Sequence, residues 1–574
     1  MKTIKYILFY SVVLLVVSCQ DFMTPNLDNY KSDETVNTSR NNFLGVLYTT
    51  YTLLPTRVNF TYEAATDNAV NNTENSLSSK AARGGVSYTY NPFGENWTTD
   101  YKGINYVNYF LEKMVLDTSK AIPTPVRFDV DPIVNLQWFY FTMGEAYFMR
   151  AWFEFDLLQK YGGVAADGKT YGFPITTSYL DVTMQLDRPR NTYAECVERI
   201  TADCDSAIKY LPVNYNKSTG LLSEGVVTQS GHASGIAAHA LKTRTLLYAA
   251  SPAYNPDNDV VKWKESAKAA LDAITASGSL LNLQSFINYY SKSKLNDGFY
   301  NNPDIFFRGP ISQNVTTYES ENFPPRASSG KGTINPSQDF VDAFLMRDGY
   351  PITATSASFP YDPSNAFKNR DSRLELFIVH SGETYAGITI DTSMGGLDAY
   401  GSSTNATRTG YYLQKLLDGS VSLSSGSVVT TTIAPILLGR PELYLNFAEA
   451  VLNATGSPDD RTYTYSARDV LILIRNRALG NATADKYLKT VMDKNTFLQI
   501  IKNERRIELS FEDHRFWDLR RWSTGLSDMG SINTPVHGIY TTNPLEIRQY
   551  KSPYMPLPYG EMLKSKYLIN NVGW

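Results

Sequence analysis

The run from Pro132 to Tyr161 leaves little freedom in how this chain can fold. Trp138, Phe139, Phe141, Phe148, Trp152, Phe153 and Phe155 recur at helical spacing but fall on more than one face. A helix with a single apolar stripe lies on a surface, whereas one that is apolar around most of its girth must be enclosed by other elements. The rest of the chain supplies them. Helical periodicity recurs over Asn42 to Leu54, Tyr101 to Leu116, Thr192 to Leu211, Gly235 to Ala250, Lys262 to Ala276, Pro441 to Leu452, Ala467 to Leu479 and Phe497 to Trp522. Counting the central run, the first eight pair in order as four hairpins, and Ala237, Ala238, Ala240, Ala249 and Ala250 let neighbouring backbones approach closely. The expected fold is mainly α: a tetratricopeptide-like helical-hairpin solenoid of four helix pairs, although the strict 34-residue consensus is absent.

One stretch breaks the pattern. From about Leu281 to Pro435 the chain turns to Gly, Ser, Thr, Asn and Pro, with Pro336 to Leu345 its clearest helical piece. A long irregular segment inside a domain is usually functional. Aromatics recur through it, among them Tyr289, Tyr290, Tyr300, Tyr318, Tyr350 and Tyr400. Part of this set must pack inside. An exposed ring offers a flat apolar face for the C–H face of a sugar, while nearby Asp, Asn and Arg bond its hydroxyls. The whole chain of 574 residues is 13% aromatic, with 40 Tyr, and its 43% hydrophobic and 19% charged content predicts a folded body. A formal charge of -4 gives no sign of a nucleic-acid partner.

At the N-terminus, Lys2 and Lys5 precede an apolar run from Ile7 to Val17, the length of a signal-peptide core and too short to span a bilayer. It ends in Val16-Val17-Ser18-Cys19, which resembles a bacterial lipobox, so Cys19 is the expected lipidation site. Two or more acyl chains give a stable anchor. Residues 1–18 are therefore read as a lipoprotein signal peptide and 19–38 as the lipidated Cys and a tether. A single body is expected over 39–574, with helix pairs over about 39–280 and 436–524, the irregular region over 281–435, and a C-terminal segment over 525–574. No other segment is apolar enough to cross a membrane.

Cys196 and Cys204 fall on one predicted helix about 12 Å apart, beyond disulfide reach, and are expected as buried thiols. The five His are scattered without zinc-ligand spacing, and no nucleotide or dinucleotide loop and no nucleophile elbow occurs, so neither metal nor cofactor is expected. Glu504, Glu508 and Glu512, interleaved with Arg505, Arg506 and Arg515, are better read as structural ion pairs than as acid/base machinery.

Blocks along the chain resemble the SusD/RagB family of outer-membrane nutrient-binding lipoproteins of Bacteroidetes. They include Gly144-Glu145-Ala146-Tyr147-Phe148-Met149-Arg150-Ala151 followed by Tyr161-Gly162-Gly163, Pro189-Arg190-Asn191, and Asn335-Pro336-Ser337 with Asp348-Gly349-Tyr350-Pro351. The last third adds Arg440-Pro441-Glu442, Ile474-Arg475-Asn476-Arg477, Glu504-Arg505-Arg506-Ile507-Glu508-Leu509 and His514-Arg515-Phe516-Trp517-Asp518. The resemblance implies a non-catalytic, cell-surface protein anchored by lipid to the outer membrane. It also implies a partner, a SusC-like TonB-dependent transporter, over which such proteins sit as a lid while capturing glycans or, in some branches, peptides.

Ligand contact is expected from Trp97 with Asp67, Asn68 and Arg83, and from Tyr289, Tyr290, Tyr300 and Tyr400. Two other readings stand beside glycan capture. A secreted all-helical carbohydrate enzyme would need two carboxylates about 5 to 10 Å apart across a cleft, and no pair stands out. A structural adaptor would use the aromatics for packing alone.

Overall fold

A computed structural model of the chain describes residues 33–117, 122–124, 126–181, 187–214, 231–286, 302–354, 358–479, 485–524 and 534–574. The leader, Cys19 and the first part of the tether lie outside the described residues, as do Tyr289, Tyr290 and Tyr300. The principal helices in chain order are α1 (Arg40–Tyr51), α2 (Trp97–Lys113), α3 (Pro132–Tyr161), α4 (Tyr193–Tyr210), α5 (Gly235–Ala250), α6 (Val260–Ala276), α7 (Arg440–Thr455), α8 (Ala467–Leu479), α9 (Lys494–Glu508) and α10 (Arg515–Arg521). The fold is mainly helical.

Asp131 starts α3: its carboxylate accepts from the N–H groups of Ile133 and Val134, and Pro132 takes the first position, where its missing N–H costs nothing. Thirty residues carry α3 about 45 Å through the interior. Trp138, Phe139, Phe148, Trp152, Phe153 and Phe155 on it are all buried. Helix α2 packs on one side and α4 on the other, and successive contacts then run α4 to α5, α5 to α6, α6 to α7 and α7 to α8 and α9. Close approach depends on Gly144, where a Cβ would stand 2.6 Å from the Leu211 side chain. The same block ties helices together through charge. Arg150 pairs with Asp203 of α4 at 2.7 Å and donates to Asn108 of α2 at 2.8 Å. Cys196 and Cys204 are free and buried on α4, and burial pushes the Cys196 thiol up to about 12.

Of the described residues between α6 and α7, Phe306 and Phe307 still pack in the helical core, the chain beyond them builds outside it, and it returns at Arg440. Its guanidinium donates to Asp304 at 2.8 Å and to the Ser277 hydroxyl at 2.8 Å, pinning both ends of the excursion. The excursion builds short antiparallel pairs and a second core in which Phe340, Phe344, Leu374, Phe377, Leu413 and Phe511 are buried together. One pair reaches back to the N-terminal part, with Ala69–Asn71 against Ile334–Pro336 in the register Ala69 to Pro336. The aromatics of this region are mostly packing residues: Phe306, Phe307, Tyr318, Phe323, Tyr411 and Tyr412 are buried, whereas Tyr400 is 59% exposed.

The predicted helix from Phe497 to Trp522 is two helices. Between α9 and α10, Phe511 and Asp513 take left-handed backbone angles of 60° and 63°. The turn swings Phe511 into the second core beside Phe340, at 5.6 Å between rings. Lys415 holds it by donating to the carbonyls of Glu508 and Ser510 at 2.8 and 2.7 Å and pairing with Glu512 at 2.7 Å.

The interleaved charges around this turn are structural, but their partners are mainly distant. Arg373 is fully buried against Asp371, Glu504 and Glu508 at 2.7, 2.6 and 2.9 Å. Arg505 pairs with Asp518 at 3.1 Å, and Arg521 with Glu449 at 2.7 Å. The local i, i+3 contact between Asp518 and Arg521, at 2.7 Å, is part of this same web.

The C-terminal segment closes on the front of the helical body. Asn571 donates to the carbonyl of Tyr161 at 2.9 Å, across 410 residues of sequence. Arg190 donates to the same carbonyl at 2.7 Å and to Asn571 at 2.9 Å.

Candidate functional site

A short helix, Leu77–Ala82, is capped by the Ser76 hydroxyl and ends at Arg83. Gly84 follows with a φ of +81°, a left-handed turn that a side chain would strain. The turn lays the backbone beside the C-terminal segment, where Gln549 N–H donates to the Ala82 carbonyl at 2.7 Å. Ser87 and Tyr90 then close a tight turn through mutual backbone bonds of 2.9 and 3.2 Å. This turn holds Tyr88 and Tyr90 in solvent, 52% and 47% exposed. The Tyr88 ring meets Tyr559, also exposed, edge to face at 5.7 Å.

Where these two chain segments meet they enclose a cleft of about 430 Å3, lined by Glu74, Arg83, Arg408, Pro544, Leu545, Glu546, Ile547 and Gln549. Its floor is fixed by charge. Buried Arg408 donates to Glu546 at 2.7 Å and to the Asn71 carbonyl at 3.0 Å, and lies 3.5 Å from Glu74. The other oxygen of Glu546 accepts from Arg548 at 2.6 Å. Glu74, Arg83, Ile547 and Gln549 form an exposed rim. Arg83 is held by two carbonyls, those of Ser79 at 3.2 Å and Glu74 at 2.6 Å. Five residues of extended chain span at most about 18 Å, so Tyr88 stands within that distance of Arg83. Ordered donors and acceptors and an exposed aliphatic residue, with solvent-facing tyrosines on the adjoining chain, are equipment for binding a hydroxyl-rich ligand with apolar faces.

Among the described residues expected to touch ligand, Arg83 alone lines this cleft, and Tyr289, Tyr290 and Tyr300 lie outside the described residues. Trp97 is a correction: it is 4% exposed at the start of α2, packed against Tyr101 and Tyr161 with ring centres 5.1 and 5.2 Å away, and offers no face to a ligand. Asp67 and Asn68 are corrected likewise. Asp67 is buried, accepts from Arg515 at 2.8 and 2.9 Å and pairs with Arg506 at 3.1 Å. Burial alone would raise its carboxyl, but these two guanidiniums hold it well below the usual carboxylate range. Asn68 donates to Glu63 and accepts from Arg506, both at 2.6 Å. Tyr400 is exposed beside Tyr540, its ring 6.4 Å away, and does not line the cleft. Glu74, Tyr88, Tyr90, Arg408, Glu546, Gln549 and Tyr559 went unmarked in the sequence. A usable signal exists for two of them, the alternating tyrosines in Ser87-Tyr88-Thr89-Tyr90 between Gly84-Gly85 and Asn91-Pro92.

The Asp67 cluster carries a pH prediction. Burial pushes the Glu63 carboxyl from 4.5 up to about 7, and one of its oxygens has no hydrogen-bond partner among the described residues. Because the folded pKa exceeds the unfolded one, the contribution of Glu63 to stability is full below about pH 4.5 and is lost as pH rises through about 7. Over that window the loss is roughly 3 kcal/mol. Half-buried His514, held down to about 4 by desolvation, works in the opposite direction, so total stability is a poor readout. The difference between Glu63→Gln and the parent, followed by urea unfolding, isolates the effect. The variant is expected to gain on the parent by that amount between pH 4 and 8, and a difference independent of pH would overturn the assignment.

Comparison with known proteins agrees with this architecture. The SusD family model matches residues 289–574, and a second model, described as starch-binding associating with outer membrane, matches residues 27–237. A SusD-like protein of Formosa agariphila is 23% identical over 398 residues, covering 68% of each chain. Two Bacteroides fragilis crystal structures share the fold. A SusD-like protein superposes with a TM-score of 0.72 at 22% identity, covering 96% of this chain and all of that one. A SusD-like carbohydrate-binding protein gives 0.67 at 18%, covering 92% and 99%. With the two family models matching residues 27–237 and 289–574 and the fold shared over 96% of the chain, the chain belongs to the SusD/RagB family, a family of binding proteins rather than enzymes.

Proposed function

We propose that this protein captures glycans at the outer membrane and delivers them to a SusC-like TonB-dependent transporter. The observation that carries the reading is the cleft itself. Its buried Arg408, Glu546 and Arg548 fix one another, so the rim presents polar groups already in position, and exposed Tyr88 stands within about 18 Å of Arg83. Preorganised polar groups lose little on binding, and tyrosine contributes stacking area with few rotatable bonds. The helix pairs support this as a tetratricopeptide-like scaffold, with residues 39–574 acting as one body and Cys19 as the lipid anchor. The family description, starch-binding associating with outer membrane, supports the same setting.

Titration calorimetry of the purified protein against oligosaccharides, polysaccharides and peptides tests this. A saccharide is expected to bind without a slow heat of turnover. Tyr88→Ala combined with Tyr559→Ala is expected to weaken it about tenfold, equal to about 1.4 kcal/mol, while leaving the melting temperature in place because both rings are exposed. Binding confined to peptides would reassign the cargo. Co-purification with the transporter and no small ligand at all would favour an adaptor.

A further inference from the structure

We infer that the cleft selects acidic glycans, taking a uronate carboxylate on Arg83; this rests on the glycan-capture reading above. The charges in and beneath the cleft do not cancel. Three cations, Arg83, Arg408 and Arg548, face two anions, Glu74 and Glu546. Arg408 and Arg548 each take one oxygen of Glu546, at 2.7 and 2.6 Å, and the nearest approach of Glu74 is to Arg408 at 3.5 Å. The cation left over is Arg83. Its hydrogen bonds go to the carbonyls of Ser79 and Glu74, which fix its direction without neutralising it.

An exposed arginine on an open surface is ordinarily just solvated. Arg83 differs in two respects. It forms part of a cleft wall, and its guanidinium is oriented before any ligand arrives, through Nε and one Nη2 proton. That leaves Nη1 and the second Nη2 proton free to donate, and a planar carboxylate is the group that such a fork fits best. Beside it, exposed Gln549 makes no side-chain hydrogen bond to the described residues. Its amide can bond the ring hydroxyl next to that carboxylate while the sugar face rests on Ile547.

The test uses the purified protein with three uronate oligomers, built on galacturonate, mannuronate and glucuronate, together with the carboxyl-reduced form of each. At least one uronate oligomer is expected to bind ten-fold or more tighter than its reduced form, with affinity falling as salt is raised from about 50 to about 500 mM. Arg83→Gln is expected to erase that preference and its salt dependence, so that the acidic and the reduced oligomer bind alike. Arg83→Lys, which keeps the charge but not the fork, is expected to retain only part. Melting temperatures of both variants check that the fold is intact. Tight binding of reduced or other neutral oligomers without any preference for the acids would overturn this inference and leave glycan capture standing. So would a preference that survives in Arg83→Gln. If no saccharide of either kind binds, both readings fall together.

Discussion

Replacing Arg373 with alanine is expected to lower the unfolding free energy by about 3–5 kcal/mol. The side chain is fully buried, and three carboxylates converge on it: Asp371, Glu504 and Glu508. Two of them are shared with other arginines, Glu504 with Arg475 at 3.2 Å and Glu508 with Arg477. Removing Arg373 leaves three buried acids with two cations between them, in a place water does not reach. The group binds the excursion to α8 and α9, so its loss should also reduce the cooperativity of unfolding between the two cores. Urea unfolding followed by both tryptophan fluorescence and far-UV circular dichroism reads both effects. A loss below about 1 kcal/mol with a single unchanged transition would show that the web contributes little beyond packing.

Trp97→Ala is expected to cost about 3–5 kcal/mol of stability and nothing in ligand affinity. The indole fills a space bounded by Tyr101 and Tyr161 where α2 begins against the end of α3, and alanine would leave a cavity that two long helices cannot collapse to fill. The residue sits a few positions beyond the exposed tyrosines, so sequence proximity alone favours a ligand role. Affinity and stability separate the two roles cleanly. A variant that melts at the parent's temperature but binds saccharide tenfold more weakly would return Trp97 to the binding surface.

What could be read from sequence follows the range of the interactions concerned. The bounds of α3, α5 and α8 match their periodicity because the signals are local: Asp131 and Pro132 start α3, and Ser234 caps α5 through the Ala237 N–H. The break after Glu508 was invisible because the periodicity continues across it. What ends the helix is Lys415, almost a hundred residues away, together with the pull of Phe511 into a core made by other segments. Asp67 and Asn68 were misplaced for the same reason. A polar pair near an aromatic looks like a binding site until Arg506 and Arg515 arrive from the far end of the chain. The cleft itself is assembled from residues around 74–83, 408 and 544–549, and only Arg83 could be marked before the fold brought them together.

The bond from Asn571 to Tyr161 sets the order in which this molecule can become native. Stacked helix pairs can consolidate one after another as they leave the ribosome, since each touches only its neighbours. Here the end of α3 gains its Asn571 partner only after 410 further residues have been made. Closing so large a loop raises the entropic barrier and slows folding relative to a chain dominated by local contacts. The contacts of residues 569–571 with Arg190 and Tyr161 are therefore among the last that the chain can complete.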